Sequence, residues 1–203
     1  MTRKTKNILL ILIVTIIPLS YYTAYSYAIE LNNKAITTAI EQNWDNKENL
    51  QNALNDINIS IKIYPWNSVF YRNKLMLQFR LNDLNGALIT NQKIIDLNPN
   101  PLYIAQRGLI YELLGDTINA NKNYKNSINK YDESFDTESN NIQNKIEYME
   151  LLIITGNENK AYNILNKLKI ENPHNELINL YELKTKKEIL SLLMKNTITQ
   201  QLK

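Results

Sequence analysis

Residues 101–134, PLYIAQRGLIYELLGDTINANKNYKNSINKYDES, contain two stretches of helical periodicity that are separated by a short turn. Apolar residues such as Ile104, Leu109 and Leu113 recur at helical spacing in the first stretch, which is typical of an amphipathic helix. Gly115 follows as a left-handed C-terminal stop, and Asp116 can cap the helix after it. The stretch therefore predicts a helix–turn–helix unit.

The same unit recurs along the chain, as a repeated spacing between alanine and proline indicates. In four segments an alanine stands twelve residues before a proline or, once, an acidic turn residue: Ala53 and Pro65, Ala87 and Pro99, Ala161 and Pro173, Ala120 and Asp132. The alanines are 34, 33 and 41 residues apart, so the period is about 34 and the last interval carries about seven extra residues. No long alternating strand pattern accompanies it, so we expect an all-α chain.

These positions resemble the tetratricopeptide repeat (TPR), a helix–turn–helix unit of about 34 residues. The best-matching segment has the small, aromatic and glycine residues of the motif at Gly108, Tyr111, Gly115, Ala120, Tyr124 and Ser127. The resemblance implies an all-α, right-handed superhelical solenoid of TPR-like repeats over residues 30–175. The repeats are predicted at about 34–67, 68–101, 101–134 and 142–175.

Residues 176–203 are predicted to form C-terminal capping helices, because repeat arrays need a closed end. Lys184, Lys186 and Lys187 lie in this segment and allow two interpretations. They could mark a basic site for a partner, or they could form a solvated helix face. We favour the solvated face.

The N-terminal residues have the pattern of a targeting segment. Three basic residues precede an apolar run over 8–19, and no further charge occurs before Glu30. Residues 1–28 are predicted to be a signal peptide cleaved near Ala28, or a single transmembrane anchor, since 7–29 are uncharged and long enough to cross a bilayer. Either interpretation predicts an extracytoplasmic chain, periplasmic or secreted after cleavage, or anchored in the membrane.

Composition excludes several function classes. Because three of the 23 basic residues lie in the leader, residues 29–203 carry 20 basic and 20 acidic side chains, which argues against nucleic-acid binding. The chain has no cysteine, one histidine and four scattered glycines, so disulfide-rich folds, zinc ribbons and phosphate-binding glycine loops are not expected. We predict no catalytic residue, no cofactor and no metal.

Two features of the sequence could indicate a catalytic or metal-binding site. His174 is the only histidine, follows Pro173 in a predicted turn and lacks any motif that would make it a base or a metal ligand. The insertion over 132–138 holds four carboxylates that could bind calcium, but the EF-hand spacing and its central glycine are absent. We expect a solvated histidine, and an acidic insertion that extends the second helix of its repeat and adds a solvated loop.

A binding groove is the site that the resemblance implies. Positions on the first helix of each TPR face its concave surface, and carrying them over nominates Arg72, Met76, Phe79, Arg80, Glu112, Gln143 and Glu150. The two arginines flank Met76 and Phe79, so this part of the groove suits an extended peptide with an acidic group and an apolar anchor. Ordinary exposed helix positions are the alternative interpretation of the same residues.

The sequence thus predicts a non-catalytic protein–protein interaction scaffold or adaptor of the bacterial cell envelope, with a protein or peptide partner. Its abundance of residues with AT-rich codons (Asn, Ile, Lys and Tyr) indicates a bacterial genome of low GC content. An immunity-type inhibitor of a secreted or periplasmic effector, acting through the acidic insertion, is the alternative. An envelope enzyme such as a cell-wall hydrolase and a self-assembling module are further alternatives.

Overall fold

A computed structural model of the protein describes residues 3–41, 46–135 and 142–189, with side chains from residue 18 onward apart from 41, 134 and 135. Helices make up the described elements: α1 (Arg3–Glu41), α2 (Lys47–Ile63), α3 (Ser68–Arg80), α4 (Leu84–Leu97), α5 (Pro101–Leu113), α6 (Thr117–Phe135), α7 (Ile142–Ile154), α8 (Glu158–Glu171) and α9 (Glu176–Asn179). No strand occurs within these ranges. The prediction of an all-α chain is confirmed.

The chain divides into two compact units, Met1–Asn82 and Asp83–Lys203. The first unit contains α1 to α3, and the second contains α4 to α9. The boundary falls inside the predicted repeat 68–101, between its two helices.

In the first unit, α1 packs against α2 and buries a stripe of residues that are mostly alanine. Ala28, Asn32, Ala35 and Ala39 lie on one face of α1 and are buried, which lets the two helices approach closely. The helix runs without interruption from the leader into the predicted first repeat, and Pro18 lies inside it. Over the residues with described side chains, no helix has the length and apolar character needed to cross a membrane.

In the second unit, α5 and α6 form the pair that the sequence predicts most clearly. The ring of Tyr124 lies against Gly108, where an added Cβ would be 2.7 Å from two ring carbons. Ser127, fully buried, donates from Oγ to the carbonyl of Pro101 at 2.7 Å. The small residues of the motif therefore act as expected, because they allow close helix packing.

The turn between these helices has the predicted left-handed glycine. Gly115 has a φ of +79°, and the N–H of Asp116 donates to the carbonyl of Tyr111 at 2.9 Å. The Asp116 carboxylate then accepts from the backbone N–H of Asn119 at 3.0 Å and caps α6. Gly156 repeats the conformation between α7 and α8, with a φ of +78°.

Replacing Gly115 by alanine should reduce the free energy of unfolding by about 1 kcal/mol. No atom lies within 4 Å of the added Cβ, so the cost comes from the backbone conformation alone. Urea unfolding followed by circular dichroism measures it. The Gly115→Asn variant is the control and should lose less, because asparagine tolerates a left-handed φ. Equal losses in the two variants would contradict this explanation.

The C-terminal segment, which is predicted to form capping helices, contains two short helical stretches in its described part. After the four-residue α9, residues 181–185 are non-helical and residues 186–189 are helical again. Ile178 and Ile189, at the two ends, are each 1 % exposed and belong to the core of the second unit. Between them, the non-helical residues 181–185 include Tyr181 and Leu183, which pack against this core. Residues 190–203, and the acidic residues Asp136 and Glu138, lie outside the described residues.

Candidate functional site

The first unit holds four of the residues predicted to line a groove, all on α3. Met76 is fully buried among the core residues of this helix. A side chain without exposure cannot contact a ligand, so Met76 is removed from the expected groove. Phe79 and Arg72 are half-buried and Arg80 is exposed, so their binding role stays a prediction.

Glu112 on α5, a predicted groove residue of the second unit, is held by two partners. The hydroxyl of Tyr124 donates to Oε2 at 2.8 Å, and Nζ of Lys186 lies 2.8 Å from Oε1. Burial raises the pKa of this carboxyl, but the hydrogen bonds from Lys186 and Tyr124 outweigh that effect, so the pKa is lowered. Burial beside Glu112 raises the pKa of the Tyr124 hydroxyl.

Glu150 on α7 is held in a similar way by the C-terminal segment. Tyr181 donates its hydroxyl to Oε1 at 3.1 Å, and Nζ of Lys184 lies 3.3 Å from the same oxygen. The ammonium group of Lys184 also lies 5.1 Å from the centre of the Tyr181 ring, within cation–π range. Burial, with the Glu150 charge, raises the pKa of the Tyr181 hydroxyl.

A third carboxylate, Glu147, lies on α7 near Glu150. It accepts from the Tyr131 hydroxyl at 3.0 Å and from Nε2 of Gln143 at 3.2 Å. Burial raises its pKa, and the nearby Glu150 charge acts in the same direction. Gln143, a predicted groove residue that is exposed, therefore orients an acidic neighbour.

One segment of the chain bridges the two predicted groove carboxylates of the second unit. Lys184 pairs with Glu150 on α7, and Lys186 pairs with Glu112 on α5. The favoured interpretation of these lysines as a solvated helix face is wrong for Lys184, which is paired and lies outside a helix. Lys186 and Lys187 are exposed in a helical stretch, and Lys186 is also paired with Glu112. Sequence reasoning missed the contacts, since 74 residues separate Glu112 from Lys186 and no local pattern links them.

A cleft of about 540 Å³ adjoins the Glu112–Lys186 pair. Tyr124 and Ala120 line it from α6, and Ile153 and Ile154 line it from the end of α7. It offers space for an apolar side chain directly beside a charged pair.

In the described part of the acidic insertion, Asp132 contributes to the packing of the second unit. Asp132 accepts hydrogen bonds from the hydroxyl of Tyr148 and, at 3.1 Å, from Nζ of Lys160. His174 is exposed in the turn before α9, as expected. Within the described residues, no group of three or more possible metal ligands comes together.

Acidification should loosen the C-terminal segment. The pKa of Glu112 is lowered, so its pairing with Lys186 contributes stability above the ordinary carboxyl value of 4.5 and loses it as the pH falls through the lowered pKa. Glu188, which accepts from the backbone N–H and hydroxyl of Thr185 at 2.8 Å each, acts with the same sign. In hydrogen-exchange measurements, the protection factors of residues 180–189 should decrease as the pH is lowered.

The Glu112→Gln variant separates this contribution from general acid unfolding. It should show weaker protection of the segment at neutral pH and a smaller dependence on pH. The amides of α8 serve as the internal reference and should respond alike in both proteins. A segment with the same pH dependence in both proteins would contradict the assignment to Glu112.

The fold is similar to that of a tetratricopeptide repeat protein from Parabacteroides merdae ATCC 43184. The two chains are 19 % identical with a TM-score of 0.52, and the match covers 86 % of this chain and 61 % of the other. This likeness and the consecutive helix pairs show that the fold is a TPR-like helical repeat, as the sequence predicts. This chain spans less than two thirds of the length of that protein.

Two crystal structures of MamA also match, each at 14 % identity, with TM-scores of 0.39 and 0.41. They cover 68 % and 79 % of this chain and 84 % and 97 % of their own, and likeness of this degree carries no argument. No model of a protein family matches this chain, and no curated protein matches it.

Proposed function

We propose that the protein is a non-catalytic protein-interaction scaffold of the bacterial cell envelope. One observation carries the proposal: Glu112 and Glu150, on the first helices of two successive repeats, already bind lysines of one short polypeptide segment. They hold it by ion pairs and a tyrosine hydrogen bond, which are contacts that a partner protein can also make. The TPR-like fold supplies the rigid helices on which such side chains are arranged.

Photocrosslinking in cells tests this function. A photoreactive amino acid at exposed Gln143 or Arg80 of the full-length chain should give one defined adduct with a partner protein. Ile118 and Ile170, which are 81 % and 80 % exposed on second helices, serve as control positions. Adducts of equal yield at all four positions, or no adduct at Gln143 and Arg80, would overturn the proposal.

We also propose that the leader stays attached and holds the first unit at the outer face of the membrane. The rings of Tyr21 and Tyr25 lie edge-to-face against Tyr64, at centroid distances of 5.8 and 4.8 Å. Cleavage after Ala28 would remove both rings and the buried Ala28 from the contact with α2. Because such aromatic pairs stabilise a fold, an intact α1 supports retention.

The mass of the protein purified from the envelope fraction decides this point. An intact chain that begins at Met1 and leaves the membrane only with detergent supports retention. A chain that begins at Ile29, or one that carbonate releases from the membrane, would overturn it.

A further inference from the structure

The C-terminal segment is buried at its two ends, and its two paired lysines between them are partly exposed. Ile178 and Ile189, the two ends, are each 1 % exposed and lie in the core of the second unit. Between them, the side chains of Lys184 and Lys186 keep 36 % and 44 % of their surface exposed, and Glu150 and Glu112 keep 20 % and 31 %. Ion pairs with this exposure contribute little net stability, so Lys184 and Lys186 can exchange partners without unfolding the unit. A displacing segment must also replace the contacts that Tyr181 and Leu183 make with the core.

The negative charge of the surface determines which peptides can replace the C-terminal segment on it. Three carboxylates, Glu112, Glu147 and Glu150, lie on α5 and α7, and two of them accept lysine ammonium groups. An acidic peptide would be repelled here, whereas a basic one repeats the contacts already present. The phenol of Tyr181 adds a hydrogen bond to Glu150, and its ring lies beneath the Lys184 ammonium group.

We propose that the surface formed by Glu112 and Glu150 is a docking site for a segment of a partner protein that carries a tyrosine and two lysines in the order Tyr-x-x-Lys-x-Lys. The chain's own residues 181–186, YELKTK, occupy the site until such a segment displaces them. The inference rests on the proposed scaffold function and names the partner chemistry of that site. The cleft of about 540 Å³ beside Lys186 leaves room for an apolar residue of the partner.

Residues 181–186 compete with a partner peptide for the same surface and so lower the apparent affinity of that peptide. Because residues 181–186 are tethered at both ends, they act at an effective concentration of about millimolar. A free peptide therefore binds the wild-type chain more weakly than a chain whose own segment is loosened. Loss of both ion pairs should raise the affinity for an added peptide by about threefold to tenfold.

The test uses the full-length chain in detergent and a fluorescent YELKTK peptide, with binding followed by anisotropy. The Lys184→Ala/Lys186→Ala variant should bind this peptide about threefold to tenfold more tightly than the wild type. Lys187→Ala is the matched control, since Lys187 is exposed in the same segment, and it should bind like the wild type. A scrambled peptide of the same composition, KTYLKE, should bind no variant with this preference.

Three further results would overturn the proposal. Binding of YELKTK that is unchanged when Glu112→Gln and Glu150→Gln are added to the double-alanine variant would place the peptide elsewhere. A wild-type dimer that becomes a monomer in the Lys184→Ala/Lys186→Ala variant would make a second copy the occupant. Equal binding of YELKTK to the wild type and the double-alanine variant would also contradict displacement.

The two proposals fail separately. Crosslinks at Gln143 in cells without any preference for YELKTK would keep the scaffold function and reject this partner chemistry. Specific binding of the peptide without a crosslinked partner in cells would keep the docking site and reject the scaffold function.

Discussion

Replacing Tyr148 by alanine is expected to lower the free energy of unfolding of the second unit by about 3–5 kcal/mol. Tyr148 is 1 % exposed, and its ring stacks on Tyr131 with a centroid distance of 5.6 Å and an interplanar angle of 29°. Its hydroxyl donates to Asp132, and Nζ of Lys160 lies 5.2 Å from its ring centre. The substitution therefore leaves a cavity and breaks a network that joins α6, α7 and α8.

Two variants separate the ring from the hydroxyl. Tyr148→Phe keeps the ring and should cost about 1–2 kcal/mol, because Asp132 loses one of its donors. Tyr162→Ala removes a tyrosine that is 53 % exposed on α8 and should change stability by about 0.5 kcal/mol or less. Urea unfolding followed by circular dichroism gives all three values. A loss for Tyr148→Ala as small as that for Tyr162→Ala would show that this network does not hold the unit.

The Gly108→Ala substitution should destabilise the second unit by about 1–3 kcal/mol, although alanine is the better helix former. The new Cβ would lie 2.7 Å from two carbons of the Tyr124 ring and 3.1 Å from the carbonyl oxygen of Ala120. The ring must move, and its hydrogen bond to Glu112 at 2.8 Å moves with it. The effect therefore reaches from the core to the candidate binding surface.

A double-mutant cycle with Tyr124→Leu tests the mechanism. The smaller side chain relieves the clash, so Gly108→Ala should cost much less in the Tyr124→Leu background. Thermal unfolding of the four proteins supplies the cycle. Additive losses, or a gain of stability in the Gly108→Ala single variant, would contradict the close contact as the cause.

Much of the fold could be predicted from the sequence because its signals are local. Gly115 has the left-handed φ that its position after a helical run requires, and Asp116 caps the helix that follows. Gly108 and Tyr124 are 16 residues apart in the sequence, yet the period of the repeat places them against each other. Helix ends, turns and the sites of small residues can be predicted because they depend on backbone conformation and hydrogen bonding over a few residues.

The candidate site was predicted only in part. Glu112, Gln143 and Glu150 were nominated from the repeat register, but their partners Tyr124, Tyr181, Lys184 and Lys186 were not. Met76 was placed in an open groove, although it is fully buried. The position of a residue in the repeat predicts the direction in which its side chain points. The exposure of that side chain depends on the other elements of the fold that pack against it.

The sequence by itself determined the period of about 34 residues, the helix pairs and their glycine turns, because each depends on contacts between near neighbours in the chain. Only the tertiary structure decided which polar groups are buried and paired. Asn73 donates to Asn32 at 3.0 Å across the first unit, and Asn91, fully buried, donates to the carbonyl of Tyr103 at 3.1 Å. Tertiary packing likewise brought Lys186 to Glu112, since such pairs join residues far apart in the chain and leave no periodic pattern in it.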